Sequence, residues 1–146
     1  MRMVIQRVSR AEVRVDGSVV GKIARGLLVL VGMERGDGAE DVERAVRRIG
    51  TIRIFEDTQG KMNRGLDEIE GRVLAVSQFT LAASLRKGRR PGFDRAMTGE
   101  EAHPLFDSFV ESLRSEGVGV ETGVFGADME VDLVNDGPVT FIWDSH

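Results

Sequence analysis

The sequence predicts an α+β fold in which mainly antiparallel strands form a barrel-like core and two amphipathic helices pack against it. Eighteen glycines are spread between short apolar segments along 146 residues, which indicates many turns and therefore many strands. Only two segments, within 37–50 and 98–116, repeat apolar side chains at helical spacing. One hydrophobic core fits a chain of this length, so we expect residues 1–146 to form a single domain.

Alternating and apolar runs predict the strands. Residues 11–15 alternate apolar with charged side chains, and Asp16-Gly17 is a hairpin turn that returns the chain along 18–24. The apolar runs 27–31 and 73–76 are typical of central strands covered on both faces. Further predicted strands are 51–55, 129–133 and 139–143. We expect seven or eight strands in all.

Two capping signals predict where the helices begin. Asp37 with Glu40, and Thr98 with Glu101, have the three-residue spacing of a capping box. Apolar side chains then recur every three or four residues, as expected for helices that pack on a sheet. Gly117 is expected to end the second helix.

The charge balance limits the partners. With 20 Lys and Arg against 24 Asp and Glu, the net charge of −4 argues against a surface that coats nucleic acid, and we expect no DNA partner. One local cluster, Arg86, Lys87, Arg89 and Arg90, is either a solvated loop or a contact for phosphate groups. No segment approaches the roughly 20 apolar residues that span a bilayer, so we expect no membrane contact and a cytoplasmic location.

The residue types also limit the chemistry. The chain has no cysteine, which excludes a disulfide framework and thiolate catalysis. His103 and His146 are the only histidines, and their separation matches no zinc-binding spacing. We therefore expect neither a metal nor another cofactor.

The first candidate site is Ser77-Gln78-Phe79-Thr80, which follows a central apolar strand. Hydroxyl and amide groups at the end of a buried strand lie where binding sites are commonly built. No histidine or lysine lies nearby in the sequence to activate Ser77 or Thr80 as a nucleophile. The alternative is that these side chains only satisfy backbone groups where the strand ends.

Two glycine-containing stretches are further candidates. In Asn135–Thr140, Pro138 cannot donate to a β ladder, and the simplest interpretation is a hairpin turn. The Gly137-Pro138 bond can be cis at a cost of about 0.5–1 kcal/mol. The glycines of Gly123–Met129 allow either a close backbone approach to a ligand or a β-bulge.

Together and in this order, these stretches resemble the D-aminoacyl-tRNA deacylase (D-tyrosyl-tRNA(Tyr) deacylase) family from Met1 to about Ser145. The segments that carry the resemblance are Met1–Ala11, Ser77–Leu81, Lys87–Pro91, Phe125–Met129 and Asn135–Thr140, of which the second and the last match the two signature motifs.

The resemblance implies an enzyme that hydrolyses the ester between a D-amino acid and the 3′ acceptor end of tRNA, and it extends this expectation to glycine mischarged on tRNA(Ala). It also implies a homodimer with the active site at the subunit interface. Ser77, Gln78, Phe79 and Thr80 of one subunit would face a cis Gly137-Pro138 of the partner subunit. The carbonyls of that motif would hold the substrate's α-amino group and reject an L side chain.

The resemblance assigns supporting roles as well. Phe125, Ala127 and Met129 would line a pocket for the terminal adenosine and the aminoacyl group, and the basic cluster at 86–90 would contact tRNA phosphates. The N–H groups of Phe79 and Thr80 would stabilise the developing oxyanion, with assistance from the 2′-hydroxyl of the adenosine.

The chain departs from the family pattern at Gly65, at Ala82-Ala83-Ser84 and at Gly92, all outside the two signature motifs. These departures affect the expected loop contacts around Phe93. Three other interpretations stay open: an RNA-binding module without catalysis, a hydrolase with Thr80 as covalent nucleophile, and a structural oligomerisation domain.

Overall fold

The computed structural model describes residues 1–146 and has the predicted α+β architecture of eight strands and two α-helices. In chain order the elements are β1 (Arg2–Val15), β2 (Ser18–Ile23), β3 (Gly26–Gly32), α1 (Ala39–Thr51), β4 (Phe55–Glu56), β5 (Met62–Arg64), β6 (Arg72–Ser77), α2 (Gly99–Ser115), β7 (Gly119–Thr122) and β8 (Glu130–Asp144). Two short 3-10 turns, Asp67–Ile69 and Phe79–Ala82, flank β6. Neither α-helix is long and apolar enough to cross a membrane.

Strand β1 organises the sheet. One of its edges pairs antiparallel with β3 along the first half of β1 and with β2 along the second half. The predicted Asp16-Gly17 turn joins β1 to β2. Its other edge pairs antiparallel with β8. Beyond β3 the sheet continues through parallel pairings with β6 and then β7. The sheet is therefore mixed, with β1 in contact with three strands.

A glycine brings the two ends of the sheet together. The strand order is β2-β1-β3-β6-β7, with β8 beside β1. A Cβ atom built at Gly21 on β2 would lie 2.3 Å from the carbonyl oxygen of Thr122 on β7. Only a residue without a side chain permits this approach. The sheet is thus nearly closed, in agreement with the barrel-like core expected from the sequence.

Two hydrophobic clusters occupy the two faces of the sheet. The larger, with 23 buried residues, joins the sheet to α1 and α2 and includes Ile49 and Phe109 from the helices. Alternation along the strands sends neighbouring side chains to the opposite face. The smaller cluster on that face consists of Val8, Ala11, Val13, Ile23, Leu28, Leu74 and Val76.

The predicted strand at 51–55 is wrong. Helix α1 continues to Thr51, because Ile49 is a buried position of its apolar stripe and the helix ends only afterwards, at the extended residue Ile52. Of the predicted strand only Phe55 pairs, with Arg64 of β5.

One capping prediction is also wrong, and the other is confirmed. The N-cap of α1 is Gly38, whose N–H donates to Asp41 Oδ2 at 2.9 Å, so the capping carboxylate is not that of Glu40. Asp37 instead accepts hydrogen bonds from the Glu34 N–H and from the amino group of Met1. At the start of α2 the Thr98 hydroxyl accepts from the Glu101 N–H, as predicted.

The Gly137-Pro138 stretch is not a hairpin turn. Residues 130–144 form one 15-residue strand along β1, and the predicted strands on either side of the proline are parts of it. The pairing register with β1 shifts around Arg7, so residues 136–139 bulge out of the ladder. The Gly137-Pro138 bond is cis.

Asp41 stabilises the start of α1. Its buried carboxylate accepts hydrogen bonds from the Gly38 N–H and, at 2.6 Å, from Arg44 Nη2. Burial acts to raise the pKa of this carboxyl group, but the hydrogen bonds from Gly38, Arg44 and Ser145 outweigh burial and lower the pKa from 3.8 to about 2. The folded state therefore favours the ionised carboxylate.

We expect Asp41→Asn to remove an acid-sensitive part of the free energy of unfolding. Because the pKa of Asp41 is lower in the folded than in the unfolded chain, its stabilisation is complete above about pH 4 and is lost as the pH falls toward 2. The contribution at pH 7 is at most about 2.4 kcal/mol, since one pKa unit corresponds to about 1.36 kcal/mol. Urea unfolding at pH 7 and pH 3 measures it, with the exposed Glu43→Gln on the same helix as control. An identical loss of stability on acidification in wild type and Asp41→Asn would contradict this account.

Candidate active site

A cavity of about 540 Å³ lies where β3 and β6 end beside the start of α2. Eleven of its 16 lining residues are hydrophobic. The predicted site residues among them are Ser77, Gln78, Phe79, Phe125, Ala127 and Met129. The structure thus brings together two stretches that are far apart in the sequence. Two larger clefts, of about 770 and 590 Å³, contain none of the predicted site residues.

Several walls of the cavity were missed by sequence reasoning. They are Met33, Met97, Ala102, Phe106, Asp128 and Val131. Ala102 and Phe106 belong to the apolar stripe of α2, and a stripe position that faces a cavity has the same spacing as one that faces the core. Only Asp128 had a usable signal, because it lies within the glycine-containing stretch 123–129.

The Phe79–Ala82 turn begins directly after β6. The Gln78 N–H donates to the Val31 carbonyl at 2.7 Å, which extends the β3–β6 pairing to the start of the turn. The first N–H groups of a helical turn have no acceptor within it. No side-chain hydrogen bond, and no backbone hydrogen bond outside the regular helices and strands, uses the N–H of Phe79 or Thr80. Two backbone donors of the turn are therefore available, and of their residues Phe79 lines the cavity whereas Thr80 does not.

The hydroxyl groups of the site lack a basic partner. The Thr80 hydroxyl accepts a hydrogen bond from Gln78 Nε2 at 2.6 Å. No hydrogen bond joins the Ser77 or Thr80 hydroxyl to a histidine, lysine or carboxylate. The one titratable side chain that lines the cavity is the exposed Asp128. Because an unactivated hydroxyl is a poor nucleophile, neither side chain has the partner that a nucleophile needs.

Aromatic contacts fix one wall of the cavity. The ring of His103 stacks on Phe125 with centroids 4.3 Å apart and an interplanar angle of 5°. Phe106 contacts the same ring at 6.0 Å between centroids. Both partners project from α2, so the helix holds Phe125 in place against the cavity.

The basic cluster lies on an exposed loop next to the turn. Backbone hydrogen bonds of 2.8 and 2.9 Å between Ser84 and Gly92 close this loop. None of the protein's ion pairs includes Arg86, Lys87, Arg89 or Arg90. At the end of the loop Phe93 contacts the exposed Phe79, with ring centroids 5.2 Å apart. The departure from the family pattern at Gly92 therefore does not move Phe93 away from the Phe79–Ala82 turn.

Gly137 and Pro138 are exposed and lie outside the cavity of their own chain. Buried Arg7 supports the bulge that contains them: its Nε donates to the Asp136 carbonyl at 2.9 Å, and its Nη1 donates to the Ile54 carbonyl at 2.7 Å. The sequence offered no reason to single out Arg7, since a lone arginine in an alternating strand is ordinarily solvent-exposed.

One group of side chains could share a metal ion, namely Asp37, Asp41 and His146. Their carboxylates already accept hydrogen bonds from backbone and side-chain donors, including the Glu34 and Gly38 N–H groups. None of the three lines the 540 Å³ cavity.

Fold and cavity together define an α+β domain in which an apolar cavity without an acid–base pair lies next to the Phe79–Ala82 turn. A model of the family described as D-Tyr-tRNA(Tyr) deacylase matches residues 4–144. The chain is 53% identical to a Syntrophotalea carbinolica protein over 100% of its own length and 98% of that protein. It is 57% identical to an Anaeromyxobacter dehalogenans protein over 99% of its length and 97% of that protein. Both relatives are named D-aminoacyl-tRNA deacylase.

The chain belongs to the D-Tyr-tRNA(Tyr) deacylase family, and the resemblance noted in the sequence is confirmed. Among solved structures, one titled c-Myc DNA Unwinding Element Binding Protein is similar with a TM-score of 0.93 at 40% identity, over 99% of this chain and 98% of that one. A probable eukaryotic D-amino acid tRNA deacylase has a TM-score of 0.83 at 20% identity over 97% of each chain, which shows the shared fold.

Proposed function

We propose that this protein is a D-aminoacyl-tRNA deacylase that proofreads aminoacyl-tRNA in the cytoplasm. Water adds to the ester carbonyl, the bond from that carbon to the 3′ oxygen of tRNA breaks, and free D-amino acid and tRNA are released. The observation that carries the proposal is the family match across residues 4–144. The cavity, lined by both the Ser77–Phe79 and the Phe125–Met129 stretches, offers a place for the aminoacyl end.

Catalysis is proposed to rest on the unpaired N–H groups of Phe79 and Thr80. Removing one donor that points at a developing oxyanion raises the activation free energy by roughly 2.7–4 kcal/mol. This role is supported by the absence of a hydrogen bond from either N–H group to a carbonyl of the turn. The 2′-hydroxyl of the terminal adenosine assists the attack, while Phe125, Ala127 and Met129 hold the adenosine and the aminoacyl group. The Thr80 hydroxyl, bonded by Gln78, has a supporting role.

Chiral selection is proposed to come from a second copy of the chain. The exposed Gly137-Pro138 of the partner subunit would hold the substrate's amino group with its carbonyls and leave no space for an L side chain. Strand β8 supports this assembly because one edge is unpaired and Val134, Phe141 and Ile142 are exposed along it. An open edge with exposed apolar side chains is a typical interaction surface.

The basic loop is proposed to contact phosphates of the tRNA acceptor end. Arg86, Lys87, Arg89 and Arg90 are exposed, and no carboxylate of the chain pairs with them. Arginine and lysine position a nucleic acid through its phosphates without reading its sequence. Since Phe93 joins the loop to Phe79, the loop lies next to the proposed oxyanion donors.

The name of one structural relative, c-Myc DNA Unwinding Element Binding Protein, suggests a second candidate function, the binding of a DNA element. The same basic loop could contact DNA phosphates, but a net charge of −4 leaves little other cationic surface for a duplex. Fluorescence anisotropy with duplex DNA at 150 mM salt decides this: micromolar affinity would favour the DNA function.

The proposed function predicts that D-Tyr-tRNA is hydrolysed at least about 100-fold faster than L-Tyr-tRNA. A steric clash of the L side chain disfavours the L substrate by a few kcal/mol. Glycine has no side chain to clash, so glycyl-tRNA(Ala) should also be hydrolysed. Release of labelled amino acid from the three substrates measures these rates. Absence of release from every substrate would favour a binding module or a structural oligomerisation domain.

A site composed of two subunits predicts complementation. A Cβ at Gly137 would lie 2.6 Å from Val139 Cγ2, so Gly137→Val should damage the half of the site that contains Gly137-Pro138. A Cβ at Gly32 would lie 2.8 Å from Leu81 Cβ, so Gly32→Val should damage the half that contains the Phe79–Ala82 turn. Mixed heterodimers keep one intact site, and random assortment of a dimer restores about a quarter of wild-type activity. No recovery after refolding the two variants together would argue for a site within one chain.

Thr80→Ala is expected to keep activity within about tenfold of wild type, because one neutral hydrogen bond contributes roughly 0.5–1.5 kcal/mol. A covalent role for the hydroxyl would instead make the loss several orders of magnitude. Single-turnover deacylation rates separate these outcomes, and Thr80→Ser, which keeps the hydroxyl, is the matched control.

Loss of phosphate contacts should raise KM and leave kcat unchanged. For Arg89→Gln with Arg90→Gln, we expect the slope of log KM against log salt to fall by roughly 0.7–0.9 for each lost contact. The control pair, Arg47→Gln with Arg48→Gln, removes two exposed cations from α1. Equal effects of the two pairs would show that the loop has no specific role.

A further inference from the structure

The Phe79–Ala82 turn sits tightly on the end of β3. A Cβ at Gly32 would lie 2.8 Å from Leu81 Cβ and 3.0 Å from the Gln78 carbonyl oxygen, so nothing larger than a glycine hydrogen fits beneath the turn. The Gln78 N–H is fixed to the Val31 carbonyl at the start of the turn. This bond holds the beginning of the turn, and a separate contact is needed to hold its other end.

Arg2 makes that second contact. Its Nη1 donates to the Leu81 carbonyl at 3.3 Å, and its Nε donates to Asp144 Oδ1 at 2.6 Å. Arg2 and Asp144 are direct cross-strand partners in the β1–β8 ladder. One guanidinium group therefore joins the end of β8 to the turn, and the planar fork of arginine allows both bonds at once.

A second, buried carboxylate acts on Arg2 through its charge. Glu34 is buried, its Oε2 accepts from Arg95 at 3.0 Å, and its Oε1 has no hydrogen-bond partner. The hydrogen bond to Asp144 raises the pKa of Arg2 against the opposing effect of burial, and the charges of Asp144 and Glu34 add to it. The guanidinium thus bonds to both Asp144 and Leu81, and the negative charge of Glu34 further favours its charged form.

We propose that Arg2 is a positioning residue for deacylation: it fixes the Phe79–Ala82 turn relative to β8, so that the N–H groups of Phe79 and Thr80 keep their aim at the oxyanion. This inference rests on the proposed function. Arg2 does not line the cavity, so a role in deacylation would act through the turn that it anchors. A misplacement of about 1 Å can cost on the order of 100-fold in rate, which makes an anchor for the donors important.

The test compares Arg2→Met, which keeps an unbranched apolar side chain but removes both bonds, with Arg10→Met. Arg10 forms an ion pair with Asp132 across the same β1–β8 ladder, also at 2.6 Å, and makes no hydrogen bond to the turn. For Arg2→Met we expect kcat on D-Tyr-tRNA to fall roughly 10- to 100-fold with KM within about twofold. For Arg10→Met both constants should stay within about twofold. A loss confined to KM, or an equal loss in both variants, would overturn the proposal.

Hydrogen exchange gives a readout that is independent of activity. The amides of Leu81 and Ala83, which donate to the Gln78 and Thr80 carbonyls within the turn, should exchange faster in Arg2→Met than in wild type and Arg10→Met, because the turn has lost one anchor. Unchanged exchange would overturn the positioning role even if kcat fell. If wild type fails to hydrolyse D-Tyr-tRNA, the proposed function fails, while the exchange data still decide whether Arg2 anchors the turn.

Asp144→Asn and Arg2→Lys provide the same test with smaller changes, should Arg2→Met not fold. Asp144→Asn removes the charge that pairs with Arg2, but Arg2 can still donate to the Leu81 carbonyl. We therefore expect a smaller loss of kcat, about two- to tenfold. Arg2→Lys retains the charge but cannot make both bonds in the fork geometry, and it should fall between wild type and Arg2→Met. Full activity in both variants would overturn the proposal.

Discussion

The fold depends on β1 being hydrogen-bonded along both edges. One edge binds β3 and then β2, and the other binds β8, so the strand with the Gly137-Pro138 bulge and the strand that ends at the cavity are fixed relative to each other through β1. Buried Arg7 lies at the register shift and bonds to two backbone carbonyls. Its guanidinium also lies 3.5 Å from Asp136 Oδ2 and 3.8 Å from Glu56 Oε1. Removing the partners of a buried charge is strongly destabilising, so the shape of the bulge is tied to the stability of the core.

The chemistry that this framework presents is unusual in its lack of titratable groups. The cavity has one carboxylate, the exposed Asp128, and its hydroxyls have no base. What it offers is an apolar space next to a helical turn whose first N–H groups have no acceptor within the turn. Preorganised backbone donors need no reorganisation during the reaction, and their effect depends on placement rather than on protonation. The catalytic role proposed for the N–H groups of Phe79 and Thr80 therefore requires a rigid Phe79–Ala82 turn.

Local patterns were predictable from the sequence, and contacts between distant segments were not. The Asp16-Gly17 hairpin, the Thr98 cap and the central strands followed from spacing and turn chemistry. The strand expected at 51–55 failed because α1 continues to Thr51, and the hairpin expected at Pro138 failed because β1 holds β8 straight on both sides of it. The meeting of Ser77–Phe79 with Phe125–Met129, and the contacts of Arg2 and Arg7, depend on tertiary packing that no local pattern records.

Donors that belong to the backbone change how mutations in this site should be understood. At Phe79 and Thr80 every substitution except one keeps the N–H group, because proline alone among the amino acids lacks it. In genetic terms, a threonine codon becomes a proline codon by a single change of its first base, whereas a phenylalanine codon needs two changes. The two donors therefore differ in how easily the genetic code can remove them, although they contribute the same kind of group.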